Sequence, residues 1–562
     1  MSNFITSLVL FTSLIAPNAM KEANNLPRKT ADIGSGSQVL RLLNVEDYIY
    51  EKDPLAEGDP DNIVDQFKKY AKENGYTNVD VNYETTDTPE SMFNLVDLTN
   101  GGYDLICPSD YMIQKMISND MLTPMRIDEE HMPHYVQNAS KDIKSRLDNI
   151  SAKNKNGENC KLGDYAVGYM WGTLGILFDP EYGGRDLDTT IEDMQEWAVL
   201  WNPDYKGISS IKDSVRDTYA IGLLNALNDD FEEDGKDVEG FETLMNKHQS
   251  GEYTDEQYNA KFSELFNKCD NATLKKVQKS LSKLKGNVFG MEVDSGKQDI
   301  VTGKIGINFA WSGDAVYSME QAEEEKELEL YYSIPNTGSN LWMDAWCMPK
   351  NDNRSQAQVE LAELFLDFIS IPEKTALNMS YTGYTPFIAG DEILDLTREW
   401  YDVRYDEEKE EFDATIPSDE EVKEKGLQRV DLSYFFEGTL SEEYAEDENA
   451  CIFYSDCYLP NAATDAKGNV TGANRAVGRE FFCQFPDSHT LARCAVMRDF
   501  GEQNKAVLNM WEKFKSDALP VWAIVLFVVE ISAILALAGY FFIGSRIKHN
   551  LRKKRKEEQN KK

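Results

Sequence analysis

YDLICPSDYMIQKM, residues 103–116, decides the fold. Tyr103–Cys107 reads as a buried strand, and Pro108-Ser109 ends it, since proline cannot donate to a sheet ladder and marks a break. Working outward, Val39–Leu43 is a strand. Asp61–Glu73 is an amphipathic helix carrying Ile63, Val64, Phe67, Tyr70 and Ala71 at helical spacing, and Val79–Tyr83 is again a strand. Further on, a strand near Ala345–Pro349 precedes a helix marked by Val359, Leu361, Ala362, Leu364, Phe365 and Phe368. Strands alternating with helices predict an α/β sheet, which binds ligands at the carboxyl ends of its strands. Two polar, charge-rich stretches, 228–285 and 390–482, interrupt the rhythm; within the second, Asp406–Glu411 reads as a solvated surface.

The 562 residues, 41% hydrophobic and 11% aromatic, are enough for more than one core and exclude a disordered chain. The net charge of −40 excludes nucleic acid as a partner of the main body. Residues 546–562 hold nine Lys/Arg and two Glu, so the rest carries 49 basic and 96 acidic residues, or −47. Such acidity suits solubility on a cell exterior.

Leu519–Gly544 (LPVWAIVLFVVEISAILALAGYFFIG) is apolar and long enough to cross about 30 Å of hydrocarbon. The basic tail RIKHNLRKKRKEEQNKK follows, which predicts a single transmembrane helix with residues up to about 518 outside and the tail cytoplasmic. Glu530 interrupts the span and either faces a neighbouring membrane subunit or is protonated in lipid. Phe4–Ala16 has the length of a signal-peptide core without a basic start, so an export signal and a short second anchor are both open. No Cys precedes Cys107, which argues against a lipoprotein anchor. Cys451, Cys457, Cys483 and Cys494 cluster in the proposed exterior and predict one or two local disulfides, whereas Cys107 and Cys347 read as buried hydrophobes.

Two short stretches carry chemistry. Trp311-Ser312-Gly313-Asp314 and Trp342-Met343-Asp344 each set an indole near a carboxylate, and a desolvated organic ammonium is attracted by both. Taken singly, such a Trp is usually core and such an Asp a cap. Motifs of enzymes are missing: there is no GxSxG, HExxH or GxxxxGK[ST], and Ser280-Leu281-Ser282-Lys283 lacks the accompanying triplets. His131 and His134 are separated by Pro133 and read as a surface loop rather than a metal pair. No catalysis, metal or cofactor is predicted.

The chain resembles the spermidine/putrescine-binding proteins of bacterial ABC importers. The likeness runs in order from about residue 38 to 228, from 285 to 390 and over Phe485–Lys515. It is carried by NVEDY (44–48), YDLICPSDYMIQKM (103–116), YMWGTLGILFD (169–179), WAVLWNPDYKG (197–207), VRDTY (215–219), WSGD (311–314), WMDAWCMP (342–349) and TGYTP (382–386). The resemblance implies a two-lobe periplasmic-binding-protein fold with hinge strands and a cleft between the lobes. Lobe 1 would comprise 38–165 and 343–390, and lobe 2 residues 166–342 with an insertion at about 228–285. Residues 391–515 would add an insertion and the C-terminal part of lobe 2, after a leader or anchor segment over 1–37.

The resemblance also implies roles. Asp47 and Tyr48 would meet one end of the ligand, Ser109 and Tyr111 would offer hydroxyls, and Asp217 would pair with an amine. Trp311 would wall the methylene chain, with Asp314 and the central Asp344 as carboxylates and Trp342 packed close by. The chain departs from the pattern at Val45 (an aromatic in the family), Glu46 (a small hydroxyl residue), Ser214 (an acid in spermidine-type members) and Leu377 (often Gln). The expected function is a membrane-tethered extracellular subunit that captures polyamines for a permease and a cytoplasmic ATPase. Capture of another organic cation, or a receptor or adhesion module on the same fold, are the alternatives.

Overall fold

The computed structural model describes residues 38–52, 59–460, 462–471 and 475–516. Strand β1 (Gln38–Val45) buries Leu40, Leu42 and Leu43. Helix α1 (Ile63–Glu73) follows, with Ile63, Phe67 and Ala71 buried along one face. Strand β2 (Val79–Thr86) returns parallel to β1, from Gln38 opposite Val79 to Val45 opposite Thr86, and a parallel return needs the crossover that α1 supplies. Helix α2 (Pro89–Leu98), capped by the Thr88 hydroxyl, leads to the short strand β3 (Leu105–Ile106), which also runs parallel to β1. Helix α3 (Asp110–Ser118) starts directly afterwards, so Pro108-Ser109 lies at the carboxyl end of β3.

Strand β4 (Ala166–Phe178) is buried along all 13 residues. The next strands are β5 (Ser209–Lys212), followed by helix α4 (Val215–Ala226), and β6 (Gly290–Glu292). Then come β7 (Ile307–Trp311), which runs into helix α5 (Ser312–Lys326), and β8 (Ser339–Pro349), which precedes helix α6 (Gln356–Ile369). The strand order is β6-β5-β7-β4-β8-β3-β1-β2. Strand β5 runs parallel to β6 and β7, while β4 runs antiparallel to β7 and β8. Thus two half-sheets of parallel strands are joined through the long pair β4 and β8. The strand expected at Ala345–Pro349 extends back to Ser339, because the Trp342–Asp344 stretch is itself paired to β4.

Three glycines of β4 make room for rings. A Cβ at Gly168 would meet the Phe387 ring at 2.1 Å, one at Gly172 the Trp342 ring at 2.6 Å, and one at Gly175 the Tyr332 ring at 2.3 Å. The pairing of β4 with β8 also contains a bulge: Asp344 faces Met170 but Ala345 faces Gly168, leaving Tyr169 without a partner on β8. The Tyr169 side chain crosses to β1's end, where its hydroxyl donates to the Tyr48 carbonyl at 2.7 Å.

The charge-rich stretches are folded. Residues 228–285 contain the helices Phe241–Gln249, Asp255–Phe266 and Asn271–Leu284. Residues 390–482 contribute Phe435, Phe436, Phe453 and Phe481 to the core, and the Phe435 ring lies 6.3 Å from Trp171 of β4. Glu407–Glu411 is exposed, as its composition requires.

Two expectations are corrected. All eight cysteines are free. Cys451 and Cys457 flank the extended strand Ile452–Ser455, which sets them farther apart than a disulfide spans, and Cys483 and Cys494 are buried as small apolar side chains. His134 is not on a surface loop: it is buried at the start of the helix Pro133–Asn138, with Nδ1 2.8 Å from Asp367 Oδ2. Cys107 and Cys347 are buried as expected.

Among the described residues no helix is long and apolar enough to cross a membrane. The predicted span Leu519–Gly544, the basic tail and the apolar run Phe4–Ala16 lie outside the described residues. The chain divides into two units at Val507/Leu508; in the second, the Trp511 and Phe514 rings pack 5.4 Å apart.

Candidate functional site

The bulge sets Asp344 against the loop that follows β3: Ser109 and Asp344 form an isolated antiparallel bridge, and Ala345 N donates to the Pro108 carbonyl at 3.2 Å. Asp344 Oδ2 accepts from the Tyr48 hydroxyl at 2.8 Å. Oδ1 is buried with no hydrogen-bond partner among the described residues, and no Lys, Arg or His there bridges this carboxylate. Burial pushes the Asp344 pKa up to about 6; Ser109 and Tyr48 pull against the shift and the charge of Asp217 adds to it.

Four aromatic rings pack together at this end of the site. Tyr384 packs edge-on to both Tyr48 (5.5 Å) and Trp342 (5.2 Å), and Tyr169 packs edge-on to Tyr48 from the bulge (5.4 Å). The Trp342 indole N–H donates to the Thr173 carbonyl at 3.2 Å, which fixes the ring plane.

Trp311 and Asp314 lie on the far side of β4, at the carboxyl end of β7 and the first turn of α5. They already hold a cation. Lys212, the last residue of β5, is fully buried, and its Nζ sits 4.3 Å from the centre of the Trp311 ring. The same Nζ lies 3.1 Å from Asp314 Oδ2 and 3.2 Å from Glu292 Oε1, and donates to the Val293 carbonyl at 3.0 Å. Glu292 is the register partner of Lys212 across the parallel pair β5–β6. Burial disfavours the ammonium, but Asp314 and Glu292 outweigh it and hold the Lys212 pKa above its ordinary value. The second oxygen of Asp314 accepts from the Tyr384 hydroxyl at 2.8 Å, linking the two ends of the site.

The other expected residues lie on neighbouring elements. Tyr111 donates to Glu90 Oε1 at 3.1 Å, and its ring lies 4.8 Å from the buried Arg216 guanidinium. Asp217 is buried in the first turn of α4, and burial raises its pKa to about 6 against the pull of Ser214 and Lys212. Ser214 caps that helix, its hydroxyl accepting from Asp217 N at 3.4 Å. Asp110, raised by burial to about 8, accepts from Met343 N at 2.9 Å. Asp47 is exposed in a left-handed conformation (φ 51°), and its charge acts on Lys297 and Tyr381 rather than on Asp344.

The structure therefore gathers Tyr48, Ser109, Trp342 and Asp344 at one end and Trp311 and Asp314 at the other, and leaves Asp47 at the rim. Sequence reasoning missed Tyr384, although it lies inside the quoted TGYTP. It also missed Lys212 and Glu292; the one available signal was a lysine closing an otherwise small and apolar strand. His248, Asp255 and His489, side chains of types that can ligate a metal, also bring donor atoms within 4.8 Å of one another, on elements that carry none of the residues above.

Rings and carboxylates gathered where parallel strands end, beside the long antiparallel pair β4 and β8, mark an α/β protein of two lobes. The sequence pattern described as "Bacterial extracellular solute-binding protein" matches residues 63–391, more than half of the chain, and the chain belongs to that family. It is similar to the spermidine/putrescine-binding periplasmic protein of Escherichia coli (strain K12), 23% identical over 338 residues, 60% of this chain and 76% of that one. Its likeness to the putrescine-binding periplasmic protein SpuD of Pseudomonas aeruginosa is 23% over 341 residues, 60% of this chain and 75% of that one. A solved structure from Listeria monocytogenes, assigned to spermidine/putrescine ABC transport, shares the fold with a TM-score of 0.50 at 21% identity, over 85% of this chain and 99% of that one.

Proposed function

We propose that the chain captures small organic amines of the polyamine class, putrescine and spermidine among them, and delivers them to an ABC permease driven by a cytoplasmic ATPase. The observation that carries this reading is Asp344: a buried carboxylate with an unpartnered oxygen, held by Tyr48 and ringed by Trp342 and Tyr384. An ammonium group supplies both the missing hydrogen bond and the missing counter-charge, and the rings receive its methylene chain. The names of the relatives point to the same ligands. The lobes would meet along β4 and β8 and close around the ligand. Leu519–Gly544 would tether the chain, with the binding domain outside and the basic tail inside.

Calorimetric titration of the full-length chain with putrescine, spermidine and spermine, against amino acids and thiamine as controls, tests the reading. Saturable binding of a polyamine is expected, weakened about 10- to 150-fold in Asp344→Asn, the scale of a hydrogen bond to a charge, about 1.5–3 kcal/mol. Equal binding by that variant would remove Asp344 from the site, and silence with every amine would remove the ligand class. The departures at Val45 and Glu46 favour a second reading, capture of another organic cation, which the same titrations extended to other amines would reveal.

A further inference from the structure

We infer that His248, Asp255 and His489 form a site for one divalent transition-metal ion, zinc in the first place, which clips the 228–285 stretch to the chain around residues 487–494. The site stands apart from the amine-binding reading and does not depend on it.

The three side chains come from three helices, Phe241–Gln249, Asp255–Phe266 and Ser488–Ala492. Asp255 Oδ1 stands 2.7 Å from His248 Nε2 and 3.3 Å from His489 Nδ1. The ligand atoms of a tetrahedral zinc, with bonds of about 2.0–2.1 Å, are themselves about 3.3 Å apart, so this oxygen is already near ligand spacing to both rings. The two imidazoles complete the triangle within 4.8 Å. His489, with 39% of its side chain exposed, has room to turn and shorten that edge. Two imidazoles and a carboxylate suit zinc, nickel or copper, whereas calcium and magnesium take oxygen ligands.

The scaffold holds these groups in place without an ion. The buried His248 ring stacks on Tyr258 at 4.5 Å and on His489 at 4.9 Å, and the Tyr258 hydroxyl is anchored on the Thr337 carbonyl at 2.7 Å. Asp255 opens its helix behind a capping box of Thr254 and Gln257, and Asp487 caps the helix of His489, accepting from Thr490 N at 2.9 Å. Asn259 donates to the Ala492 and Cys494 carbonyls at 2.9 and 2.8 Å, which docks the second helix against the third independently of the site. Ligands ordered in advance spare an ion the cost of ordering them. Burial and the Arg493 charge hold the His489 pKa below its ordinary value against the pull of Asp255 and Asp487, so its ring is neutral at pH 7 and has a lone pair to give. The Arg493 guanidinium itself is spent on the Pro335 and Arg475 carbonyls. Exposure of Asp255 and His489 leaves the ion a way in and water a place as the remaining ligand.

The test uses the full-length chain and metal salts alone. In calorimetric titrations one Zn2+ is expected to bind with a dissociation constant of about 10 μM or tighter, and Mg2+ and Ca2+ at least about hundredfold more weakly. Zinc bound no more tightly than calcium overturns the inference, since exposed carboxylates would then account for both. Co2+ should bind with a visible spectrum of nitrogen and oxygen ligation. A sulfur-to-metal charge-transfer band would place the ion on the eight free cysteines instead and overturn the inference too.

Two variants assign the ligands. His489→Ala and Asp255→Asn are each expected to weaken Zn2+ binding at least about tenfold, since even an outer partner of a metal ligand is worth about 10- to 100-fold. Wild-type zinc affinity in both overturns the inference. Neither side chain is buried, so both variants should fold; if His489→Ala does not, Asp255→Asn decides alone.

Discussion

Asp344 ties the site to pH. Its carboxyl and that of Asp217 are both raised to about 6 from an ordinary value of 3.8. Burial is the first cause for each, and the two charges face one another together with Tyr48, Ser109 and the raised Asp110. An unfolded chain gives up these protons near their ordinary value, the folded one only near 6. These two groups therefore contribute stability to the ligand-free protein that is lost as pH rises from about 4 to about 6, and Asp110 extends the loss to about pH 8. Amine binding has the opposite dependence, since it needs the carboxylate: affinity should climb through pH 6 and level off, falling up to about tenfold per pH unit below it for each proton that must leave. Titrations at a series of pH values check this, and a flat profile between pH 5 and 7 would contradict it. Tyr48→Phe removes one of the two hydroxyls that favour the charged form, so its profile should move to higher pH. Residues of this kind were half legible. Trp342 and Asp344 stand two apart and share a motif, whereas Lys212 meets Glu292 and Asp314 across 80 and 102 residues, a pairing that no local pattern records.

At the level of elements, α1 and α6 and the strands β1 and β2 were readable, because apolar patterning is local: α1 buries one face, and β1 and α6 are apolar and buried over consecutive residues. Within the second charge-rich stretch, Phe435 reaches Trp171 of β4 only in three dimensions, between polar segments that look like surface. The four cysteines likewise share a segment without being paired. The glycine at 172 offers a direct test of how strand β4 supports the site. A methyl there would enter the space of the Ser312 hydroxyl at 2.4 Å and the Trp342 ring at 2.6 Å. Gly172→Ala is expected to destabilise the protein by about 1–3 kcal/mol in denaturant unfolding, and to weaken amine binding by displacing Trp342. A variant with wild-type stability would show that the ring moves aside without cost.

The whole molecule adds two expectations. Its charge of −40 draws small cations inward over distances beyond contact, so the association rate for putrescine should drop several-fold as salt rises from low to about 0.5 M, with a smaller change in dissociation. Stopped-flow tryptophan fluorescence reads both rates. With all eight thiols free, denatured protein should take up eight equivalents of a thiol reagent without prior reduction; six or fewer would restore a disulfide. A final consequence comes from the bulge at Tyr169. Side chains along a strand alternate between two faces, so losing one residue from the stretch before Met170 would turn every residue upstream of it to the opposite side of the sheet. Tyr169 would no longer reach the Tyr48 carbonyl, and the hydroxyl that holds Asp344 would lose its footing. The binding site is thus encoded in a count as well as in an alphabet: β4 can bear a changed letter more readily than a missing one.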